Sequence, residues 1–162
     1  MNLSTFNSQF SILILNGPNL NRLGTRKPEI YGSKTMAQIL LDIQRTWPEV
    51  HLTYFQSNHE GDLIDKIQEA NDKISNVKCQ MSNVDGIVLN AGGYSHTSVA
   101  LRDAVEECAV PVVEVHISDI TKREPFRQHS LLTDVCAYSI IGKGTKGYEE
   151  AVKYLLAAGV GD

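Results

Sequence analysis

The sequence predicts an α/β protein with a five-stranded parallel sheet and helices on both faces of that sheet. Two observations support this prediction. Short, continuous apolar runs recur along the chain, as expected for parallel strands that are buried on both faces. Segments with apolar residues at helical spacing alternate with these runs. The 162 residues are enough to bury a sizeable core, so we expect a single domain over residues 1–162.

The elements follow one another in a regular order. Right-handed crossovers between parallel strands favour the sheet order 2-1-3-4-5, which is the flavodoxin-like arrangement. The apolar runs predict strands at residues 12–15, 52–55, 87–89, 112–115 and 137–141. The predicted helical faces comprise Met36, Ile39, Leu40, Ile43 and Trp47, then Leu63, Ile64, Ile67, Ala70 and Ile74, then residues 99–105, and finally Tyr148, Ala151, Val152, Leu155 and Leu156.

Composition and charge exclude several classes of protein. The net charge of −4 argues against a dedicated nucleic-acid binder, and no apolar run approaches the roughly 20 residues that span a membrane. Residues 1–11 have no basic residue before a long apolar stretch, so we interpret them as a polar extension and not as a secretory signal. Cys79, Cys108 and Cys136 form no C-x-x-C pair, which favours free thiols in a reducing cytoplasm.

Two segments do not fit a simple alternation of strands and helices. Residues 75–85 have no clear period, and we expect a helix extension or a surface insertion there. Residues 17–33 form a long connection after the first strand, with Arg22, Arg26, Lys27 and Tyr31 in it. Loops longer than about 12 residues in a compact domain are usually functional. We therefore interpret residues 17–33 as a lid over the ligand-binding edge of the sheet.

Polar side chains accumulate where the predicted strands end. In an open parallel sheet, ligands bind outside the carboxyl ends of the strands, and this set suits a small, anionic, polyhydroxylated ligand and acid–base chemistry without a cofactor. The gathered groups are Asn16, Asn19, Arg22, Arg26 and Tyr31 after strand 1, Gln56, Ser57, Asn58, His59 and Glu60 after strand 2, Asn90 and His96 after strand 3, Glu114, His116, Ser118, Arg123 and Arg127 around strand 4, and residues 142–147 after strand 5.

Several of these groups have a purely structural interpretation. Tyr31 taken alone is better explained as a ring packed on the body of the protein, and His116 fits a core histidine as well as a site residue. His59 and Glu60 fit helix-capping positions. Residues 142–147 (GKGTKG) resemble a phosphate cradle but lack the P-loop order, so a left-handed turn is favoured. No metal-ligand spacing and no G-x-G-x-x-G motif occurs, so neither a metal site nor a dinucleotide cofactor is expected.

Five motifs in order resemble the type II 3-dehydroquinate dehydratase family. The resemblance runs from about residue 12 to residue 156, and residues 75–85 are the main departure. It implies a flavodoxin-like fold and the conversion of 3-dehydroquinate to 3-dehydroshikimate and water in the shikimate pathway, by anti elimination through an enolate. The matching motifs are residues 16–24 (NGPNLNRLG), 28–32 (PEIYG), 56–61 (QSNHEG), 90–103 (NAGGYSHTSVALRD) and 114–118 (EVHIS).

The resemblance also implies a role for each catalytic residue. Tyr31 is the implied base that takes the proton beside the ketone, and His116 is the implied acid that protonates the departing hydroxyl. Arg26 resembles the arginine that stabilises the transition state, and Asn19 resembles the residue that holds a water at the enolate oxygen. Glu114 resembles the partner that orients His116.

The family resemblance extends to substrate binding. Asn90 and the backbone N–H groups of Ile117 and Ser118 look like the cradle for the carboxylate and a hydroxyl. His96 and Arg127 look like contacts to the ring hydroxyls. Asp103 resembles a residue that reaches the site of a neighbouring subunit, since members of the family assemble as dodecamers, each a tetramer of trimers. No cofactor and no metal are implied.

The proposed chemistry sets one requirement that can be tested in the structure. A free phenol has a pKa of about 10, so a tyrosine base needs nearby cations that favour its charged form. Arg22 and Arg26 lie within nine residues of Tyr31 and are the expected source of that charge. The alternative function is a non-enzymatic flavodoxin-like module that binds an anion or phosphate with residues 142–147.

Overall fold

A five-stranded parallel sheet forms the centre of the protein. The computed structural model describes residues 9–72 and 84–159, so most of the 75–85 segment and of the amino-terminal extension lies outside the described residues. The sheet order is β2-β1-β3-β4-β5, which confirms the predicted order 2-1-3-4-5. The strands are β1 (Ser11–Asn16), β2 (His51–Gln56), β3 (Gly86–Asn90), β4 (Val112–His116) and β5 (Tyr138–Ile141).

Within the described residues, five α-helices connect or follow these strands. The helix predicted from Met36 to Trp47 ends one residue earlier, at Thr46. The helix predicted from Leu63 to Ile74 ends at Asn71, and Ile74 lies outside the described residues. The helix α1 is an element that the sequence analysis did not predict. The helices are α1 (Pro28–Tyr31), α2 (Met36–Thr46), α3 (Glu60–Asn71), α4 (Val99–Glu107) and α5 (Lys146–Gly159).

The alternation of side chains along β1 divides the core into two layers. Ile12 and Ile14 pack in the layer that contains α2 and α5 residues, whereas Leu13 and Leu15 pack in the layer with α3 and α4 residues. All four side chains have no exposed surface. A strand covered on both faces reads as a continuous apolar run, which is why the interior strands could be located from the sequence.

The two edge strands are less buried than the interior ones. Tyr54 in β2 is 38% exposed and Tyr138 in β5 is 50% exposed. Each edge strand has a neighbour on one side only, so the expectation of burial on both faces applies to β1, β3 and β4. None of the helices in residues 9–72 and 84–159 is long and apolar enough to cross a membrane.

Local polar contacts fix where the helices begin. Thr35 and Gln38 form a reciprocal capping box at the start of α2, and the Ser98 side chain accepts the Leu101 N–H at the start of α4. Such caps satisfy backbone donors that a helix leaves unpaired. His59 occupies the N-cap position of α3, but its side chain makes no capping hydrogen bond. His59 therefore occupies the predicted capping position, but its side chain does not act as a cap.

The parallel register places the strand ends in a single row. Asn16 at the end of β1 pairs with Gln56 of β2 and with Asn90 of β3. His116 ends β4 beside Ile141 of β5. The polar groups that follow the strands therefore emerge at one edge of the sheet, as the sequence analysis expected.

Candidate active site

A cavity of about 160 Å³ opens at this edge of the sheet. The segments after β1, β3 and β4 form its walls, and most side chains named as candidates from the sequence line it. The lining residues are Pro18, Asn19, Leu20, Arg26 and Tyr31 after β1, Asn90, Gly92, Gly93 and His96 around β3, and His116, Ile117, Ser118, Ile120, Arg123 and Arg127 around β4.

The loop of residues 17–33 is anchored to the body of the protein at its first half. Leu20 and Leu23 are each only 6% exposed and belong to the core. Gly17 donates its N–H to the Asn90 carbonyl at 2.8 Å, and a Cβ at Gly17 would lie 2.3 Å from the carbonyl oxygen of Ala91. Only glycine allows this close approach of two backbones. The loop is therefore tied to the end of β3.

Asn19 is held in an uncommon backbone conformation beside the cavity. Its φ is 68°, in the left-handed region that asparagine tolerates better than most residues. Its N–H donates to Oδ1 of Asn58 at 2.9 Å, and Gln56 Nε2 donates to the same oxygen at 3.1 Å. The segment after β2 thus positions Asn19 without contributing a side chain to the cavity wall.

Two guanidinium groups surround the Tyr31 side chain. Nη1 of Arg123 lies 3.4 Å from the Tyr31 hydroxyl oxygen and also donates to Ser118 Oγ at 3.1 Å. The guanidinium carbon of Arg26 lies 5.2 Å from the centre of the Tyr31 ring. Arg22 was expected to supply charge here, but it does not line the cavity. The cation at the phenolic oxygen is Arg123.

The sequence places Arg123 among the polar groups around strand 4 but indicates no role for it. Its contact with Tyr31 joins two segments 92 residues apart, and nothing in the spacing of charges reveals such a contact. The hydrogen bond to Tyr31 raises the pKa of Arg123 above its ordinary value, against the opposing effect of burial. The guanidinium is thus a permanent positive charge at the phenol.

His116 and Glu114 form a buried pair at the end of β4. Nε2 of His116 lies 2.6 Å from Oε1 of Glu114, and the side chains are 5% and 1% exposed. The two residues are two positions apart and therefore project from the same face of the strand. A carboxylate can only accept, so neutral His116 carries its proton on Nε2. Its Nδ1 makes no hydrogen bond within the described residues and stays free for proton transfer.

Three hydroxyl groups complete the environment of the Glu114 carboxylate. Ser130 donates to Oε1, while Thr133 and Ser139 donate to Oε2 at 2.8 Å and 2.7 Å. Burial alone would raise the pKa of Glu114, but the hydrogen bonds from His116 and the hydroxyls lower it to about 2. The carboxylate is therefore charged at neutral pH. A negative charge in this position accepts from Nε2 and fixes the orientation of the imidazole.

His96 presents one ring nitrogen to the cavity as an acceptor. Its Nδ1 lies 2.8 Å from the carbonyl oxygen of His129, and because a carbonyl cannot donate, Nδ1 carries the proton. Burial lowers the pKa of His96, although the same hydrogen bond opposes this. Neutral His96 thus keeps a lone pair on Nε2, which suits a ligand hydroxyl. Its ring centre is 6.1 Å from that of His116.

Donors suited to an anion lie at the end of β3 and in the segment after β4. Within the described residues, neither the Ile117 nor the Ser118 backbone N–H donates a hydrogen bond. Asn90 is buried, with Nδ2 donating to the Tyr148 hydroxyl at 3.0 Å. Nε of Arg127 lies 3.3 Å from Glu124 Oε2 as an ion pair, but without hydrogen-bond geometry. The cavity is therefore rich in donors and positive charge.

Some candidates lie away from the cavity. Asp103 is on the exposed surface of α4, and His59 is exposed at the start of α3. Gly142 and Gly144 have φ of 73° and 61°, which is the left-handed turn favoured from the sequence. Their N–H groups donate to the carbonyls of His116 and Ile117 at 3.0 Å each, so they are not free to hold a phosphate. The described residues contain no group of three or more His, Cys, Asp or Glu side chains that could bind a metal.

Comparisons with known proteins agree on one family. The family model for dehydroquinase class II matches residues 10–156. A 3-dehydroquinate dehydratase of Bacillus pumilus is 48% identical over 149 residues, with 91% of this chain and 95% of the relative covered. A catabolic 3-dehydroquinase of Phaeosphaeria nodorum is 51% identical over 146 residues, covering 89% and 90% of the two chains. The crystal structure of a type II dehydroquinase from Butyrivibrio crossotus superposes with a TM-score of 0.82 at 41% identity, covering 92% of this chain and 99% of the other.

The low pKa of Glu114 predicts a pH-dependent contribution to stability. Because the folded pKa of about 2 lies below the ordinary value of 4.5, the stabilisation is present above pH 4.5 and is lost as the pH falls toward 2. Its size is on the order of 3 kcal/mol. We expect Glu114→Gln to lower the free energy of unfolding at pH 7 and to flatten its decline in acid, measured by urea unfolding from pH 7 to pH 3.

The matched control is Glu107→Gln, which removes an exposed carboxylate at the end of α4. This variant should retain the pH dependence of the unchanged protein. An equally steep decline in Glu114→Gln would contradict the view that the buried carboxylate is ionised.

Proposed function

The chain belongs to the dehydroquinase class II family, and we propose that it converts 3-dehydroquinate to 3-dehydroshikimate and water as a step of the shikimate pathway. The observation that supports this most directly is the pairing of two proton-transfer groups in one cationic cavity. Tyr31 lies against Arg123, and His116 is paired with a buried carboxylate. One group suits removal of a proton, and the other suits its delivery to a leaving hydroxyl.

The cavity wall supports binding of an anionic substrate. Arg26, Arg123 and Arg127 all line it, and no acidic side chain is among the described lining residues. We assign the substrate carboxylate to Asn90 and to the N–H groups of Ile117 and Ser118. Backbone N–H groups and side-chain amides donate hydrogen bonds to a carboxylate and do not themselves gain or lose a proton.

Tyr31 acts as the base in the proposed mechanism. Its phenolate oxygen takes a proton from the carbon beside the ketone, and the electrons of the broken C–H bond form the enolate. Arg123 donates to this oxygen at 3.4 Å and is placed to hold negative charge on it through a charge-assisted hydrogen bond. Arg26, over the ring of Tyr31, stabilises the negative charge that develops in the transition state.

The second half of the reaction expels the hydroxyl. Asn19 holds a water against the enolate oxygen. That water donates a hydrogen bond to the negative oxygen and stabilises the intermediate. The enolate then reforms its carbonyl, the ring double bond forms, and the C–O bond to the hydroxyl breaks. His116 gives that hydroxyl a proton, with Glu114 orienting the imidazole. Proton and hydroxyl leave from opposite faces, which makes the elimination anti.

The ring hydroxyls are assigned to His96 and Arg127. Nε2 of His96 is an acceptor, as its bond to His129 requires, so it can receive a hydroxyl proton. Arg127 is a donor and completes the polar contacts of that side of the ring. A ligand with hydroxyls in these positions should bind better than a simple anion. A simple anion would leave His96 and Arg127 without hydrogen-bond partners, which costs binding free energy.

Subunit assembly is proposed on the exposed surface near α4. Asp103 and Val99 are four positions apart and so share one face of that helix; Val99 is 59% exposed, and Phe126, next to Arg127, is 69% exposed. These apolar side chains suit coverage by a neighbour. We propose a homododecamer, a tetramer of trimers, in which Asp103 reaches the site of an adjacent subunit.

The proposed chemistry is redox-neutral, and side chains supply both the base and the acid. Some dehydration reactions proceed through a Schiff base between a lysine and the ketone, but none of the described residues that line the cavity is a lysine.

A non-enzymatic phosphate module is not favoured, because the N–H groups of Gly142 and Gly144 are already bonded. The free thiols of Cys108 and Cys136 fit a cytoplasmic location.

The function and the assembly can be tested in one experiment. The full chain is separated by size-exclusion chromatography, and each fraction is mixed with 3-dehydroquinate while the ultraviolet absorption of the conjugated product is followed. We expect activity to elute at about twelve times the 17.9 kDa chain mass. Absence of activity in every fraction would refute the proposed function, whereas activity confined to the mass of one chain would refute only the assembly.

Tyr31→Phe tests the assigned base. The substitution removes the phenolic oxygen and keeps the ring, so the fold and substrate binding should persist. We expect kcat to fall roughly 100-fold or more, the range for loss of a positioned acid or base. Tyr138→Phe, which alters a half-exposed tyrosine on β5, is the control and should keep full activity. Near-normal turnover by the Tyr31 variant would show that another group is the base.

The two histidines at the edge of the sheet provide a second test. His116→Ala removes the group paired with Glu114 and should lower kcat by roughly 100-fold or more. His59→Ala changes an exposed side chain outside the cavity and should alter kcat little. Steady-state kinetics of both variants decides the assignment, since similar losses would mean that the acid has been misidentified.

A further inference from the structure

A buried chain of hydrogen bonds connects the core to the cavity wall. The hydroxyl of Tyr148, a side chain with no exposed surface, donates to Oδ1 of Asn16 at 2.9 Å and accepts from Nδ2 of Asn90 at 3.0 Å. Asn90 lines the cavity, whereas Tyr148 and Asn16 do not. The chain therefore links α5 and β1 to a residue that touches the substrate in the function proposed above.

Each end of this chain has a partner that fixes the direction of the hydrogen bonds. Nδ2 of Asn16 lies 3.3 Å from the sulfur of Met36, and a thioether can only accept. The Asn16 amide must therefore direct its nitrogen toward Met36 and its oxygen toward Tyr148. The Tyr148 hydroxyl is left to donate to that oxygen and to receive a hydrogen bond on its other side.

The opposite end imposes the same direction on Asn90. The backbone N–H of Gly92 lies 3.2 Å from Oδ1 of Asn90, and a backbone N–H can only donate. A rotated amide would place its NH₂ against the Gly92 N–H, and two donors would then face each other at a partly buried position without an acceptor. With both ends satisfied, one hydrogen of the Asn90 Nδ2 group is bonded to Tyr148 and the second is unused.

The orientation of this amide matters because of the ligand. An amide nitrogen presented to the cavity attracts a carboxylate, while an amide oxygen in the same place would repel it. Asn90 and a rotated Asn90 occupy the same volume, so packing alone does not choose between them. Only the hydrogen-bond partners distinguish the two orientations.

We propose that Tyr148 is a positioning residue, which holds the Asn90 amide with its nitrogen toward the substrate carboxylate. This inference rests on the proposed function. It assigns to a fully buried side chain on α5 an effect on substrate affinity, exerted through Asn90 and without contact with the substrate. The chemical step should be little affected, because within the described residues the Tyr148 hydroxyl bonds to Asn16 and Asn90 and to neither Tyr31 nor His116.

Tyr148→Phe is the direct test, with Tyr154→Phe as the matched control on the same helix. Loss of the acceptor leaves the Asn90 amide held only by the Gly92 N–H, so its nitrogen is positioned less firmly and KM for 3-dehydroquinate should rise roughly tenfold, the size expected when a hydrogen bond to a charged group is weakened. The value of kcat should change less than about threefold. Tyr154, whose hydroxyl contacts the Ala137 carbonyl at 3.5 Å, should tolerate the change with KM and kcat unaltered.

A double-mutant cycle separates positioning from a general structural role. Asn90→Ala should raise KM by a similar factor, and adding Tyr148→Phe to it should raise KM no further than about twofold, since the amide to be oriented is gone. Multiplied effects in the double variant would overturn the inference, as would an unchanged KM in Tyr148→Phe alone. An inactive unmodified protein would instead refute the proposed function, and the inference with it.

A second variant covers the case in which Tyr148→Phe does not fold. Replacement of Tyr148 by 4-aminophenylalanine keeps the ring and a donor for Asn16 but offers Asn90 a much poorer acceptor. It should show the same rise in KM with little change in kcat. A folded variant of this kind with normal KM would contradict the proposed role of Tyr148.

Discussion

The parallel register of the interior strands is the constraint on which the site depends. Asn16 of β1 pairs directly with Asn90 of β3, and Gly17 continues that pairing into the loop by donating to the Asn90 carbonyl. Because the strands run in the same direction, every segment that follows a strand emerges at the same edge. A shift of one residue in this register would turn the side chains at the strand ends to the opposite face. The cavity would lose the alignment of its walls.

Buried polar groups are the cost of building this cavity into the end of a packed sheet. Asn16, Asn90, Glu114 and His116 are all nearly inaccessible to solvent, and each would destabilise the fold if left without partners. The structure satisfies them through residues from distant parts of the chain, including the hydroxyls around Glu114. Met36 of α2, Ser139 of β5 and Tyr148 of α5 are among these partners, and none of the three lines the cavity. Residues that lie away from the cavity are therefore needed to satisfy the polar groups that form it.

The sequence predicts the sheet more completely than it predicts the site. Interior strands are short apolar runs, and parallel crossovers have a fixed hand, so the order of the strands follows from local patterns. The placement of Tyr31, His116 and Asn90 in one cavity follows from that order. The role of Arg123 does not, because its contact with Tyr31 depends on how a loop folds over the sheet. The same applies to Tyr148, which appears in the sequence only as one apolar position of an amphipathic helix.

The two halves of the loop after β1 differ in how they are attached. Leu20 and Leu23 are embedded in the core, whereas the following residues lie between Gly24 and Gly32, whose φ values are 94° and 82°. Arg26 and Tyr31 both belong to this second half. Any displacement of this half therefore moves the proposed base and the proposed stabilising cation together. On the proposed mechanism, a substrate analogue that pushes this segment outward is expected to inhibit catalysis without occupying the place of the reacting carbon.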